Sequence, residues 1–353
     1  MSARRSSLVL ITVAVVLVAV AAVVRFVVAP NATRLPEDTD QTVHYAGETA
    51  MLDSEALRSG DTADALGPGI PVTADRRVRV TSVHGDTAVL EDVMTVRIGE
   101  QSLPSAKTYA VDRESREGTA PPASTSTSAE PSRGALNSAF PPDAARDDSY
   151  TYYDATTRSI VPVRYTGSAE REGRTVNVYE IGIDAPVKDP AVLEPLPEAL
   201  PKKLVAGLVP ALDATARDRL TPEALAALPD PVPLTYQGVS TLVAHIDRQT
   251  GIAIDQKVNR EIVATATVAG EPTPLVPVST LTLDVTPESS KDLGDTAASA
   301  GLLLTVLTDA TPLALSVVAA VLLAVALLRM RGKRPDTPAR DGTVTGASSA
   351  QPS

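Results

Sequence analysis

Residues 77–93 read RVRVTSVHGDTAVLEDV, and this stretch decides the fold. From Arg77 to Thr81 polar and apolar side chains alternate with period two. That spacing turns one face of a strand to a core and the other to water. His84-Gly85-Asp86 interrupts with turn-forming residues, and Thr87 to Val93 resumes an extended pattern, so the segment reads as a hairpin. Outward from it the same texture recurs. Thr175 to Ile183, TVNVYEIGI, alternates in the same way. Ser240–Asp247 and Ile252–Val268 flank Arg248-Gln249-Thr250-Gly251, a second hairpin with a turn glycine, and Pro274–Val285 adds another extended stretch. The abundance of Val and Thr suits strands. The expected fold class is α+β: a mainly antiparallel sheet with a few short helices, flanked by N- and C-terminal transmembrane helices.

The flanks carry the membrane signal. Leu8 to Val24 is apolar except for Thr12, and Phe26, Val27 and Val28 extend the run past Arg25. At 1.5 Å per residue, the span 8–28 reaches roughly 31 Å, about one bilayer core. A cleaved signal peptide competes with this reading, because Ala19-Val20-Ala21 has small residues at the right spacing. The run continues beyond that point, which favours an uncleaved anchor. The second run, Pro312–Leu328, is followed at once by Arg329, Arg331, Lys333 and Arg334. With Arg4 and Arg5 before the first span, the positive charge places both termini in the cytoplasm of a two-pass plasma-membrane protein. The expected layout is a cytoplasmic N-terminus at 1–7, spans at 8–28 and 312–328, an extracytoplasmic β-rich domain over 29–311 and a disordered cytoplasmic tail over 329–353.

Charge divides along the same boundaries. The chain is net −11, with 32 Lys+Arg against 43 Asp+Glu. Nearly all the acid lies between the spans, which argues against nucleic acid as a partner. Cysteine and tryptophan are absent, and the aromatic residues are eight Tyr, Phe26 and Phe140. A core must therefore be built from Val, Leu, Ile and Ala. Two segments break the strand pattern. Glu117–Ser149, rich in Ser, Thr, Pro and Ala, reads as a disordered loop. Asp189–Pro233 reads as an insert of short helices, with Thr221-Pro222-Glu223 as cap, first position and acidic first turn. Leu204, Leu208, Leu212, Leu225 and Leu228 supply its apolar positions.

Two short patterns recur. Tyr-x-Gly occurs at Tyr45–Gly47, Tyr165–Gly167 and Tyr236–Gly238. Asp-x-x-Ser/Thr occurs at Asp112–Ser115, Asp154–Thr157 and Asp247–Thr250, where the aspartate is placed to accept backbone N–H bonds in a turn. Ordinary turn chemistry and a duplicated β-unit both fit these repeats. Neither makes the aspartates catalytic.

Catalytic strings are missing. Gly238-Val239-Ser240-Thr241-Leu242 lacks the last glycine of a nucleophile elbow. No phosphate-cradling or dinucleotide glycine motif occurs. Asp38-Thr39-Asp40 reads as an acidic juncture rather than a metal site. His245 and Asp247 share a strand face, an arrangement that is more often a surface contact than an acid–base dyad. The chain is read as a non-enzyme, with no catalytic, cofactor-binding or metal residues and no cofactor.

Several strings in order resemble a known family. Ser149-Tyr150-Thr151-Tyr152-Tyr153-Asp154, Pro162-Val163-Arg164-Tyr165-Thr166-Gly167, Glu172-Gly173 and Val178-Tyr179-Glu180 resemble the actinobacterial porin PorA family of two-anchor membrane proteins. Val111-Asp112-Arg113, Ile246-Asp247-Arg248-Gln249-Thr250-Gly251 and the segment Leu35-Pro36 through Tyr45-Ala46-Gly47 resemble it as well. The resemblance covers most of residues 5–330 and implies an envelope location; its label implies a channel. Two helices per chain enclose a wide pore only in many copies, and these strands are too polar and aromatic-poor for a transmembrane barrel. The favoured function is a membrane-anchored, non-catalytic envelope protein binding a hydrophobic or envelope-derived ligand or a partner protein. The alternative is a porin-like or transport component formed by oligomerisation, in which Ala319, Ala320 and Ala324 would pack helices together.

Overall fold

A computed structural model describes residues 2–52, 66–123 and 128–331. It divides into two compact units, one from the chain ends up to Asn31 and from Thr305, the other Ala32–Leu304. The expected tail over 335–353 lies outside the described residues.

The end unit pairs two helices long and apolar enough to cross a membrane. The first runs Ser2–Val23, passes a π turn at Val24–Val28 and resumes over Ala29–Ala32. The second arrives through a π turn at Val306–Ala310 and continues over Thr311–Arg331. Ser7, Ala14 and Ala21 recur every seven residues and are buried, as are Ala319 and Ala326 on the other helix. Small side chains at that repeat let two helix backbones approach closely. Ala320 and Ala324, expected to serve the same purpose, are exposed. Arg25 and Asp309 sit in the π turns, and Arg25 Nη1 donates to the Thr308 carbonyl at 3.3 Å.

The larger unit is one curled antiparallel sheet. Its strands are β1 (Asp40–Met51), β2 (Ile70–His84), β3 (Thr87–Ile98), β4 (Gln101–Asp112), β5 (Thr151–Asp154), β6 (Ser159–Arg171), β7 (Arg174–Pro186), β8 (Ala199–Leu200), β9 (Val232–Asp247), β10 (Ala253–Val268) and β11 (Glu271–Val285). The order across the sheet is β4-β3-β2-β1-β11-β10-β9-β7-β6-β5, with β8 beside β9. Both expected hairpins are present. β2 and β3 turn through Gly85 at φ +62°, and β9 and β10 turn through Gly251 at φ +75°. The two meanders join where β1 lies against β11, Tyr45 opposite Val285.

The segment expected to be a disordered loop over 117–149 is instead a working part of the sheet among its described residues, 117–123 and 128–149. Gly118 bridges Val111 of β4 on one side and Arg133 on the other, and Leu136 bridges Tyr152 of β5. Gly118 N donates to the Ala135 carbonyl, Gly134 N to Gly118, and Leu136 N to Thr151. The two edge strands are thereby stitched together through the segment, and their backbone groups gain partners they would otherwise lack. Ala135, Leu136, Phe140 and Ala144 are its buried apolar residues. Composition hid this role because those four apolar anchors are irregularly spaced among Ser, Pro and Asp.

The helical reading of 189–233 matches short helices at Pro190–Leu193, Lys202–Leu208, Ala214–Arg219 and Pro222–Ala227. Thr221 caps the last by accepting from Ala224 N at 3.2 Å. Leu208, Leu212 and Leu228 are buried with Val232, Ile262 and Leu275 in a core under the ends of β9, β10 and β11.

Candidate functional site: a divided cavity inside the curled sheet

Strand parity determines what faces the concave side. Along β2 the inward positions are Val72, Ala74, Arg76 and Val78; along β3 they are Leu90, Asp92, Met94 and Val96; along β10 they are Ile254, Gln256, Val258 and Arg260. The inner face is thus apolar with a few polar residues at fixed steps. It encloses two cavities, of about 540 Å³ and about 290 Å³. The larger is walled by Val43, Val78, Leu90, Phe140, Ile252 and Leu293 among others. Leu303 and Leu304, at the end of the helix starting at Pro287, complete it.

Tyr45, Arg76 and Gln256 border both cavities and form the partition. Tyr45 Oη donates to Gln256 Oε1 at 2.8 Å. Arg76 grips Asp92 bidentately, Nε to Oδ1 at 3.0 Å and Nη2 to Oδ2 at 2.5 Å, across a diagonal of the β2–β3 ladder. Burial opposes the Arg76 charge, and Asp92 more than offsets that, raising its pKa well above the usual arginine range. Burial also raises the Tyr45 phenol. Ser138, from the stitching segment, donates to Asp92 Oδ2 at 3.1 Å, so the partition is anchored to the sheet closure.

The smaller cavity is lined by more charged side chains. Lys107 Nζ meets Asp189 Oδ2 at 2.8 Å and Glu130 Oε1 at 3.7 Å, and Arg260 Nη2 lies 3.5 Å from Asp154. These are satisfied ion pairs. Paired groups of this kind hold a wall in place.

The residues singled out in the sequence mostly serve structure. All three repeated aspartates cap turns. Asp112 accepts from Glu114 N and Ser115 N, Asp154 from Thr157 N, and Asp247 from Gln249 N and Thr250 N. Hydrogen bonds from Ser115 and Glu114 outweigh burial and lower the Asp112 pKa. The Tyr-x-Gly repeats lie in strands rather than turns. At Gly47 a Cβ would stand 1.8 Å from the Thr282 carbonyl oxygen, whereas Gly167 occupies a bulge with φ +140°. His245 and Asp247 do not form a dyad. Asp247 is held by Arg174 at 2.9 Å, while His245 faces Asp255 at 3.7 Å. Burial lowers the His245 pKa against the pull of Asp255. Ser240 accepts from Arg260 Nε at 3.3 Å, and Asp40 pairs with Arg77. No group of three metal-ligating side chains occurs among the described residues.

Arg76, Asp92, Gln256 and Arg116 escaped the sequence reading. For the first three the signal was available, as polar residues standing at core parity between apolar neighbours.

Comparison with known proteins bears on the chain as a whole. A family model described as Porin PorA matches residues 6–328. No curated protein matches. Among solved structures, full-length peroxisomal multifunctional enzyme type 2 from Drosophila melanogaster is 8% identical, with a TM-score of 0.13 over 70% of this chain and 37% of that one. A conserved protein of unknown function with a hot dog fold from Alicyclobacillus acidocaldarius is 12% identical, with a TM-score of 0.12 over 72% of this chain and 82% of that one. At such scores neither likeness carries an argument about fold or activity.

Proposed function

The chain belongs to the Porin PorA family, and from that premise we propose that its large domain is a non-catalytic holder of a hydrophobic small molecule in the cell envelope. The observation that carries this reading is the larger cavity. At about 540 Å³ it falls within the ~300–1,000 Å³ range of sites that enclose one small molecule, and its walls are mostly aliphatic. The outer faces of the strands carry Arg77, Arg79, Arg164, Glu170, Glu180 and Asp184. Facing hydrocarbon, those charges would each be costly, so the sheet belongs in water while the two apolar helices belong in the bilayer.

The reading is tested on the full-length protein in a nonionic detergent, by native mass spectrometry followed by solvent extraction. A protein carrying one co-purified apolar molecule per chain is expected. A ring of empty subunits that conducts ions in planar bilayers would replace this reading with an oligomeric pore.

Orientation follows from the basic residues beside each span. A cysteine replacing exposed Thr166 should react with a membrane-impermeant thiol reagent on intact cells, and one replacing Ser348 should react only after lysis. Labelling of the Ser348→Cys protein on intact cells would reverse the assigned topology.

A further inference from the structure

Three arginines line the larger cavity, and two of them are neutralised. Arg34 pairs with Asp86 at 2.9 Å, and Arg76 pairs with Asp92. The third, Arg116, is only 7% exposed. Its Nη2 donates to the Thr33 carbonyl at 2.9 Å. Its Nη1 is fully buried with no hydrogen-bond partner, and no carboxylate lies within ion-pairing distance among the described residues. The nearest acids, Asp112 and Glu114, act on it only through space. Asp112 Oδ1 is already occupied by the amides of Glu114 and Ser115, and Glu114 is exposed. The backbone holds the residue in place. Arg116 has φ +64°, and its N–H closes the turn onto the Asp112 carbonyl at 3.0 Å.

An unpaired buried guanidinium is costly, and the cost is recovered when an anion reaches it. Here the open donor belongs to a residue that walls a mostly aliphatic cavity. We propose that the cavity selects an anionic single-chain amphiphile, its charged head drawn to the Arg116 guanidinium and its chain lying along Val43, Val78, Leu90, Phe140 and Leu293. This rests on the proposed role of the cavity and adds the charge and form of its occupant. Burial lowers the Arg116 pKa to about 10, which still leaves the side chain fully charged at neutral pH. A carboxylate and a phosphate monoester both present anionic oxygens that accept from a guanidinium N–H.

The experiment titrates delipidated full-length protein in a nonionic micelle at neutral pH with hexadecanoic acid, hexadecyl phosphate and hexadecanol, with occupancy read by native mass spectrometry. One charge-assisted hydrogen bond separates the anions from the alcohol, so the anions should bind roughly 10- to 100-fold more tightly. Arg116→Gln should abolish that preference, whereas Arg116→Lys should restore part of it. Preference for the phosphate over the acid identifies a phospholipid-type head; the reverse identifies a free fatty acid. Equal binding of acid and alcohol by the unmodified protein overturns the inference but keeps the cavity as a site. Failure of all three to bind overturns the role of the cavity itself. The comparison on unmodified protein decides the matter even if a variant does not fold.

Discussion

Gly118→Val should cost the large domain about 3 kcal/mol, seen as a fall in Tm of roughly 6–12 °C. A Cβ at this position would stand 2.0 Å from the Ser132 carbonyl oxygen and 2.4 Å from its Oγ. The first of these is backbone, and it cannot swing aside. Relief requires the 132–136 segment to move away from β4. That movement breaks the Gly118 N to Ala135 and Gly134 N to Gly118 bonds, and with them the link between the two sheet edges. A buried donor left without its acceptor adds its own penalty. The control is Gly182→Ala in β7, where a Cβ meets nothing within 4 Å and the change should be close to neutral. Equal melting of the two variants would show that the edges are not joined through Gly118.

Asp92→Ala should be the other severe change. It strips the counter-charge from Arg76 and leaves a guanidinium that is 18% exposed without a carboxylate. Breaking one side of a buried pair costs about 3–5 kcal/mol, largely the penalty of the charge left behind. Ser138 loses its acceptor at the same time, so the loss reaches the stitching segment. The effect should appear as a lower urea midpoint with an unchanged slope. Replacing both partners, Arg76→Met with Asp92→Leu, removes the stranded charge and should recover most of the stability. A midpoint for Asp92→Ala within error of the parent, or a double variant no better than the single one, would count against the pair as the pillar of the partition.

How much of this was legible follows from the range of each interaction. The hairpins at 77–93 and 240–268 could be read directly, because period-two alternation and turn residues are local signals. Thr221 as a cap and the three aspartate turns were legible for the same reason, since their hydrogen bonds close within three residues. The segment 117–149 differs from the expected disordered loop in its described parts, residues 117–123 and 128–149. Its Ser, Thr and Pro content resembles a solvated loop, while its partners in β4 and β5 are set by the sheet and leave no periodic trace. The site was half legible. Asp92 and Arg76 stand at inward parity, which alternation alone could have flagged. Arg116 could not be found that way. Its importance lies in a turn with positive φ and in a cavity assembled from β1, β2, β3, β10 and the helix from Pro287.

The seam between β1 and β11 also constrains how the protein is made. β1 is the first strand to be synthesised, and its permanent neighbour β11 is the last. Until residues 279–285 emerge, β1 has β2 on one side and an open ladder on the other, and nearly the whole domain must be produced before that gap closes. Pairing across so long a separation is slow. An exposed strand edge during that wait is a template for pairing with other chains. A chain truncated before Ser279 should therefore accumulate as aggregate or be degraded rather than persist as a smaller folded protein.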